Sequence, residues 1–190
     1  MDKTLARHKL GIAENKSVIA VLGGSQGSRP LNRHFSIHHA KYTADNIQIL
    51  WQCGKLDYPA LKEVKSDALI SLFPFSEDMA TVYSAADVII SRAGALALSE
   101  MALMGKAMIL VPFPHAAGDH QLKNAESFAI IDAAKIVPQS RLDSGELEDT
   151  VMSLLKQPDI LSSMEKKALS LATPSAEDKI ICAIMEIAES

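Results

Sequence analysis

Short runs of apolar, largely β-branched residues recur along this chain and alternate with longer stretches of helical character, a pattern that few folds accommodate. The runs fall at Ser17 to Leu22, Ile47 to Trp51, Leu69 to Leu72, Asp87 to Ile90, Met108 to Val111 and Lys135 to Val137. Helical character fills Pro30 to Thr43, Tyr58 to Val64, Ser76 to Ala85, Ala95 to Met104 and His120 to Ile131. Strands that are almost continuously apolar are covered on both faces, and strand-helix alternation builds a parallel sheet with helices on each side. The expected fold is therefore α/β, a doubly wound parallel sheet of Rossmann type over about residues 15–138, followed by a helical C-terminal tail over 139–190. In that tail Leu142, Leu147, Val151, Leu154 and Leu155 mark the stripe of a first helix, and Pro158 interrupts it. A last helix is expected from Ser175, where Ser175 and Asp178 resemble a capping box and Ile180, Ile184 and Ile187 share a face. That stripe needs a partner, either in this domain or in another.

The 190 residues suit one domain with a sizeable core. Nineteen Lys and Arg against twenty-three Asp and Glu give a net charge of -4, with the basic residues scattered, so nucleic acid is not an expected partner. Cys53 and Cys182 match no paired metal-ligand spacing and read as reduced thiols of a cytoplasmic protein, without a zinc site. Met1 to Ala20 lacks the order of a signal peptide, and no apolar run approaches the ~20 residues of a membrane span. A soluble protein is expected, free to touch a membrane surface.

In an open parallel sheet, ligands bind beyond the carboxyl ends of the strands. The first such turn is Gly23-Gly24-Ser25-Gln26-Gly27-Ser28, with Pro30 opening the next helix. Its glycines allow close backbone approach, and free amides at a helix start hold a diphosphate without a metal. Leu22 breaks the Rossmann glycine spacing, and no Lys follows the glycines as a P-loop requires. Two other readings stand beside it: a tight packing turn, and a G-x-S-x-G nucleophile elbow with Ser25 as nucleophile and Asp87, His115 and His120 following in compatible order. Against the elbow, only about twenty residues precede the turn.

The second turn, Arg92-Ala93-Gly94, leads into a helix whose only charge is Glu100, flanked at three and four residues by Leu96, Ala97, Leu103 and Met104. A carboxylate there suits the paired hydroxyls of a ribose, with a rim salt bridge as the plainer alternative. The third constellation runs from Pro112 to Gln121, and His120, Gln121 and Asn124 fall on one helical side as neutral partners for sugar hydroxyls. Loop and capping roles for His115 and His120 remain open. No Asp-x-Asp motif occurs, so neither a metal nor another cofactor is expected at the diphosphate.

Taken in order, these pieces resemble the donor-binding half of the MurG family, GT-B N-acetylglucosaminyltransferases of peptidoglycan synthesis. The resemblance covers nearly the whole chain. It rests on Gly23 to Gly27, Asp78-Met79 with Tyr83 and Ala86-Asp87, Ser91 to Leu96 through Ser99-Glu100, and His115-Ala116-Ala117 through Asp119-His120-Gln121 with Asn124. It implies a UDP-N-acetylglucosamine site in which Ser25, Gln26 and the amides around Gly27 meet the diphosphate, aided by Gly94, Ala95 and Leu96. Ser76 would meet uracil through its backbone and Glu100 the ribose, while His120 and Gln121 read the sugar; Met79, Ala97, Leu98, Ser99 and Asn124 complete the implied contacts. Ser28, Ala107 and Gly118 beside Asp119 depart from the family pattern, none at an implied ligand contact. The resemblance further implies inverting, metal-independent transfer to lipid I at the cytoplasmic face of the membrane. The catalytic base and acceptor site would belong to an N-terminal domain with no counterpart here, so the chain is expected to be an excised half or a natural subunit, like the donor half of the split dolichol-pathway transferases.

Overall fold

A computed structural model describes residues 2–62 and 67–172. Six parallel strands form one sheet in the order β3-β2-β1-β4-β5-β6. They are β1 (Ser17–Leu22), β2 (Ile47–Gln52), β3 (Ile70–Phe73), β4 (Val88–Ser91), β5 (Ala107–Leu110) and β6 (Ala134–Ile136), each within one residue of its expected bounds. The helices are α1 (Lys3–Lys9), α2 (Arg29–Thr43), α3 (Tyr58–Leu61), α4 (Met79–Ala85), α5 (Ala95–Leu103), α6 (His120–Ala129), α7 (Glu146–Leu155) and α8 (Pro158–Ser170). The order reverses between β1 and β4, which opens a crevice at their carboxyl ends.

Side chains alternate along each strand and feed two cores. Ile19 and Val21 join Leu31, Phe35 and Tyr42 of α2 and Leu147 and Val151 of α7. Val18, Ala20 and Leu22 face Val82 of α4, Leu98 and Met101 of α5 and Ala125 of α6. The doubly wound α/β expectation is met.

Local departures have local causes. α4 starts at Met79 rather than Ser76 because Asp78 caps it, its carboxylate accepting from the Thr81 amide at 3.1 Å and the Thr81 hydroxyl at 2.6 Å. Leu142 is not on α7; it sits in a 3-10 turn over Gln139–Ser144, and Gly145 at φ 88° separates the two. Pro158 starts α8 rather than merely breaking a helix, since proline suits a first turn. α7 and α8 pack on this domain, α8 against α5, α7 and β5. The helix expected from Ser175 lies outside the described residues, as does the end of the one expected over 58–64.

Unforeseen is α1, which has almost no apolar stripe. Asp2 caps it, and it is anchored by the buried Arg7, whose guanidinium donates to the Ala85 carbonyl (3.1 Å) and to Asp87 (2.8 Å). Lys3 also pairs with Asp87. No helix among the described residues is long and apolar enough to cross a membrane.

Candidate functional site

The glycine turn leaves β1 and is braced from β2. Gln52 donates to the Gly24 carbonyl at 3.0 Å, and Asn32 donates to the Cys53 carbonyl at 2.8 Å while accepting from the Trp51 indole at 3.0 Å. Gly27 has φ +82°, and a Cβ there would stand 2.1 Å from the Cys53 carbonyl oxygen. Only glycine fits. The Gly27 amide closes the turn on the Gly24 carbonyl (3.1 Å) and is not a free donor. No side chain caps α2, so the Arg29 and Leu31 amides on either side of Pro30 keep their capacity for a ligand.

A cleft of about 560 Å³ opens above this turn, lined also by Arg92, Gly94, Ala97, Phe113 and Gln121. Arg92 is the residue that sequence reasoning passed over. Its guanidinium donates to the Ser28 hydroxyl (3.0 Å), the carbonyls of Val111 (2.9 Å) and Pro112 (3.2 Å) and the Gln139 side chain (2.6 Å), and lies 5.7 Å from the Phe113 ring centre. Burial lowers its pKa from the usual arginine value, yet arginine stays a cation at neutral pH. All four of these acceptors are neutral, so the charge is left to the cleft. Ser28, a departure from the family pattern thought remote from the ligand, is thus part of this wall.

On the other side of α5, a second recess of about 380 Å³ is lined by Asp78, Met79, Tyr83, Glu100, Leu103 and Met104. Glu100 is half-buried, and its Oε2 accepts from the Tyr83 hydroxyl at 2.8 Å. Burial first, then this carboxylate, raises the Tyr83 pKa and keeps the phenol protonated as donor. One carboxylate oxygen is therefore oriented by protein, in a residue that lines the recess. The Ser76 hydroxyl accepts from the Asp78 amide (3.2 Å), beside the exposed Phe75.

The third group sits at the start of α6. His120 Nδ1 lies 2.8 Å from the Ala117 carbonyl, so Nδ1 is the donor there and Nε2 is the ring nitrogen left to a ligand. Gln121 accepts from the Phe113 amide at 3.0 Å, which turns its NH2 outward. Asn124 donates to the Ala93 carbonyl at 3.1 Å, so its carbonyl end is the one available to a ligand. Ala95, Leu96 and Ser99 are exposed near the start of α5, with the Ser99 hydroxyl turned back on the Ala95 carbonyl. Leu98 is different: it is buried in the core, so its side chain does not reach the site. Ser25 and Gln26 are exposed on the turn.

The elbow reading fails on topology. Asp87 lies at the amino end of β4, holding Arg7 and the Val18 amide (2.7 Å), whereas Ser25 lies beyond the carboxyl end of β1, with about 13 Å of strand rise from Val18 to Leu22 between the two ends. No Ser-His-Asp relay forms with it.

The comparisons with known proteins agree with this fold. The glycosyltransferase family 28 C-terminal domain matches residues 18–180. The UDP-N-acetylglucosamine--N-acetylmuramyl-(pentapeptide) pyrophosphoryl-undecaprenol N-acetylglucosamine transferase of Chlorobium phaeobacteroides is 36% identical over 100% of this chain and 52% of its own length. Its namesake from Flavobacterium psychrophilum is 37% identical over 93% of this chain and 48% of its own. The crystal structure of Acinetobacter baumannii MurG superposes with a TM-score of 0.78 at 33% identity, covering 98% of this chain and 53% of that one. The chain thus spans about half the length of the curated relatives it matches. A 3-2-1-4-5-6 parallel sheet, with its crevice flanked by a glycine turn and a Glu-bearing helix, and a family match over most of its length together place the chain in the glycosyltransferase family 28 C-terminal domain family.

Proposed function

We propose that this chain is the donor-binding domain of an inverting glycosyltransferase that moves N-acetylglucosamine from UDP-N-acetylglucosamine to lipid I in peptidoglycan synthesis, at the cytoplasmic face of the membrane. The observation that carries the reading is the pair of recesses on either side of α5. One is cationic and glycine-walled, the other apolar with an oriented carboxylate. A nucleoside diphosphate sugar has the matching sequence of groups: an anionic diphosphate, and a nucleoside with two adjacent ribose hydroxyls. The names of the relatives supply the sugar and the acceptor.

In this reading Arg92, the first amides of α2 and α5 and the Ser25 hydroxyl hold the diphosphate with no metal or organic cofactor. Their charge and dipoles are fixed before the glycosidic bond breaks, so they stabilise the departing UDP without reorganisation. Glu100 takes the ribose hydroxyls through the oxygen that Tyr83 leaves open. Ser76 with Met79 borders the uracil, and His120 Nε2, the Gln121 NH2 and the Asn124 carbonyl meet sugar hydroxyls. The base that deprotonates the attacking hydroxyl, and the lipid I site, belong to an acceptor domain corresponding to the half of the relatives that this chain does not match. The chain by itself orients the donor.

Calorimetric titration with UDP, UDP-N-acetylglucosamine, UDP-glucose and UDP-N-acetylgalactosamine tests this. Binding of UDP-N-acetylglucosamine with preference over the other two sugars is expected, and Glu100→Ala should weaken UDP by at least about tenfold, the scale of a lost hydrogen bond to a charged group. Unchanged UDP affinity in the variant would remove the ribose assignment.

A further inference from the structure

α2 and α7 meet on the face of the sheet away from α5, and charged and imidazole groups collect in the seam between them. His34 and His38 are four residues apart on α2, so both rings project to one side, with centroids 4.9 Å apart. Glu148 enters from the first turn of α7. His34 Nε2 is 3.9 Å from Glu148 Oε2, and His38 Nδ1 is 4.0 Å from Glu148 Oε1. One ligand atom from each residue lies within 4.8 Å of the others.

The seam is largely buried and incompletely paired. The side chains of His34 and Glu148 are 0% and 8% exposed. Lys41 holds Glu148 Oε1 at 2.8 Å, but Glu148 Oε2 has no hydrogen-bond partner. A carboxylate oxygen buried without a donor is costly, and such an atom calls for an explanation.

The geometry points to a divalent-metal site formed by His34, His38 and Glu148, suited to zinc and separate from the donor cleft. Two imidazoles one helical turn apart plus a carboxylate from a second element are a zinc donor set, with the fourth position open to water past the partly exposed His38. Zinc bonds of about 2.1 Å set tetrahedral ligand atoms about 3.4 Å apart, so the two His–Glu separations must close by about 0.5 Å and the widest of the three, within 4.8 Å, by up to about 1.4 Å. Two contacts oppose this. Lys41 must release Glu148, which its half-exposed, flexible stem permits. The Tyr42 hydroxyl, 3.0 Å from His34 Nε2, must yield if that nitrogen coordinates. Affinity on the order of micromolar follows, weaker than a dedicated structural site. A bound ion would staple the tail helix α7 to α2.

Zinc itself is the probe, titrated into the chelator-treated chain against a chromophoric chelator. One equivalent should bind at micromolar concentration and raise the Tm. His38→Ala, at a partly exposed position that leaves the fold intact, should weaken binding at least tenfold. Lys41→Ala should tighten it severalfold, because the ammonium competing for Glu148 is gone. Absence of saturable binding below about 100 µM zinc, affinity unchanged in His38→Ala, or affinity not increased in Lys41→Ala would each overturn the site.

Discussion

Gly24 and Gly27 share φ +82° but have different surroundings. An alanine at Gly24 meets nothing within 4 Å, so its cost is that of an L-residue in the left-handed region, about 1 kcal/mol. An alanine at Gly27 bears the same cost and also drives its Cβ to 2.1 Å from the Cys53 carbonyl oxygen and 3.1 Å from Gly54 Cα, where ordinary contact begins near 3.4 Å. Alanine has no rotamer to relieve this. The Cys53 carbonyl is backbone, held by Asn32 at 2.8 Å, so β2 and the turn must separate. Overpacking of this kind adds ~1–3 kcal/mol, giving a total of about 2–4 for Gly27→Ala. At ~2–4 °C per kcal/mol for a chain of this size, Gly24→Ala should lower the Tm by about 3 °C and Gly27→Ala by about 10 °C. Paired urea and thermal unfolding of the two variants measures this. If they fall within about 1 kcal/mol of each other, the claim that β2 braces the glycine turn is wrong.

Arg92→Met should weaken UDP at least tenfold and flatten the salt dependence of its binding while leaving uridine affinity unchanged, because the cation meets the diphosphate only; a parallel loss for uridine would make Arg92 a mere loop fastener. Tyr83→Phe removes the donor that orients Glu100, and should lower UDP affinity by about tenfold and narrow its advantage over 2′-deoxy-UDP, both readable by calorimetry. Equal discrimination in the variant would separate Tyr83 from ribose recognition. The Thr81 hydroxyl and amide hold the Asp78 carboxyl below its ordinary value of 3.8, so the α4 cap contributes fully above that value and is lost as pH falls through the depressed folded-state value. Asp78→Asn, still a good cap, should reduce the acid slope of the urea midpoint between about pH 5 and pH 3. A wild-type-minus-variant difference that does not change with pH would refute this.

The elements that the sequence determined by itself are those whose signal is local. Short apolar runs mark the strands, most plainly β1, β2, β4 and β5, because a strand buried on both faces needs little else, and the alternation with helices implies a parallel sheet. Gly23 to Ser28 at the end of β1 and Glu100 among apolar neighbours were legible for the same reason: their oddity lies within one turn. α1 was not legible, since an Arg7 pairing with Asp87, eighty residues on, replaces the apolar stripe that would have announced it. Nor was the wall of the cleft. Arg92 has its meaning only once Ser28, Val111, Pro112 and Gln139 are folded around it, and Gly27 is obligatory only because Cys53 arrives from β2. The seam of His34, His38 and Glu148 likewise joins residues more than a hundred positions apart. Periodicity and turn chemistry act between near neighbours and can be read along the chain. The pairing of buried charges depends on which distant segments the sheet order brings together, and that was decided by the tertiary structure alone.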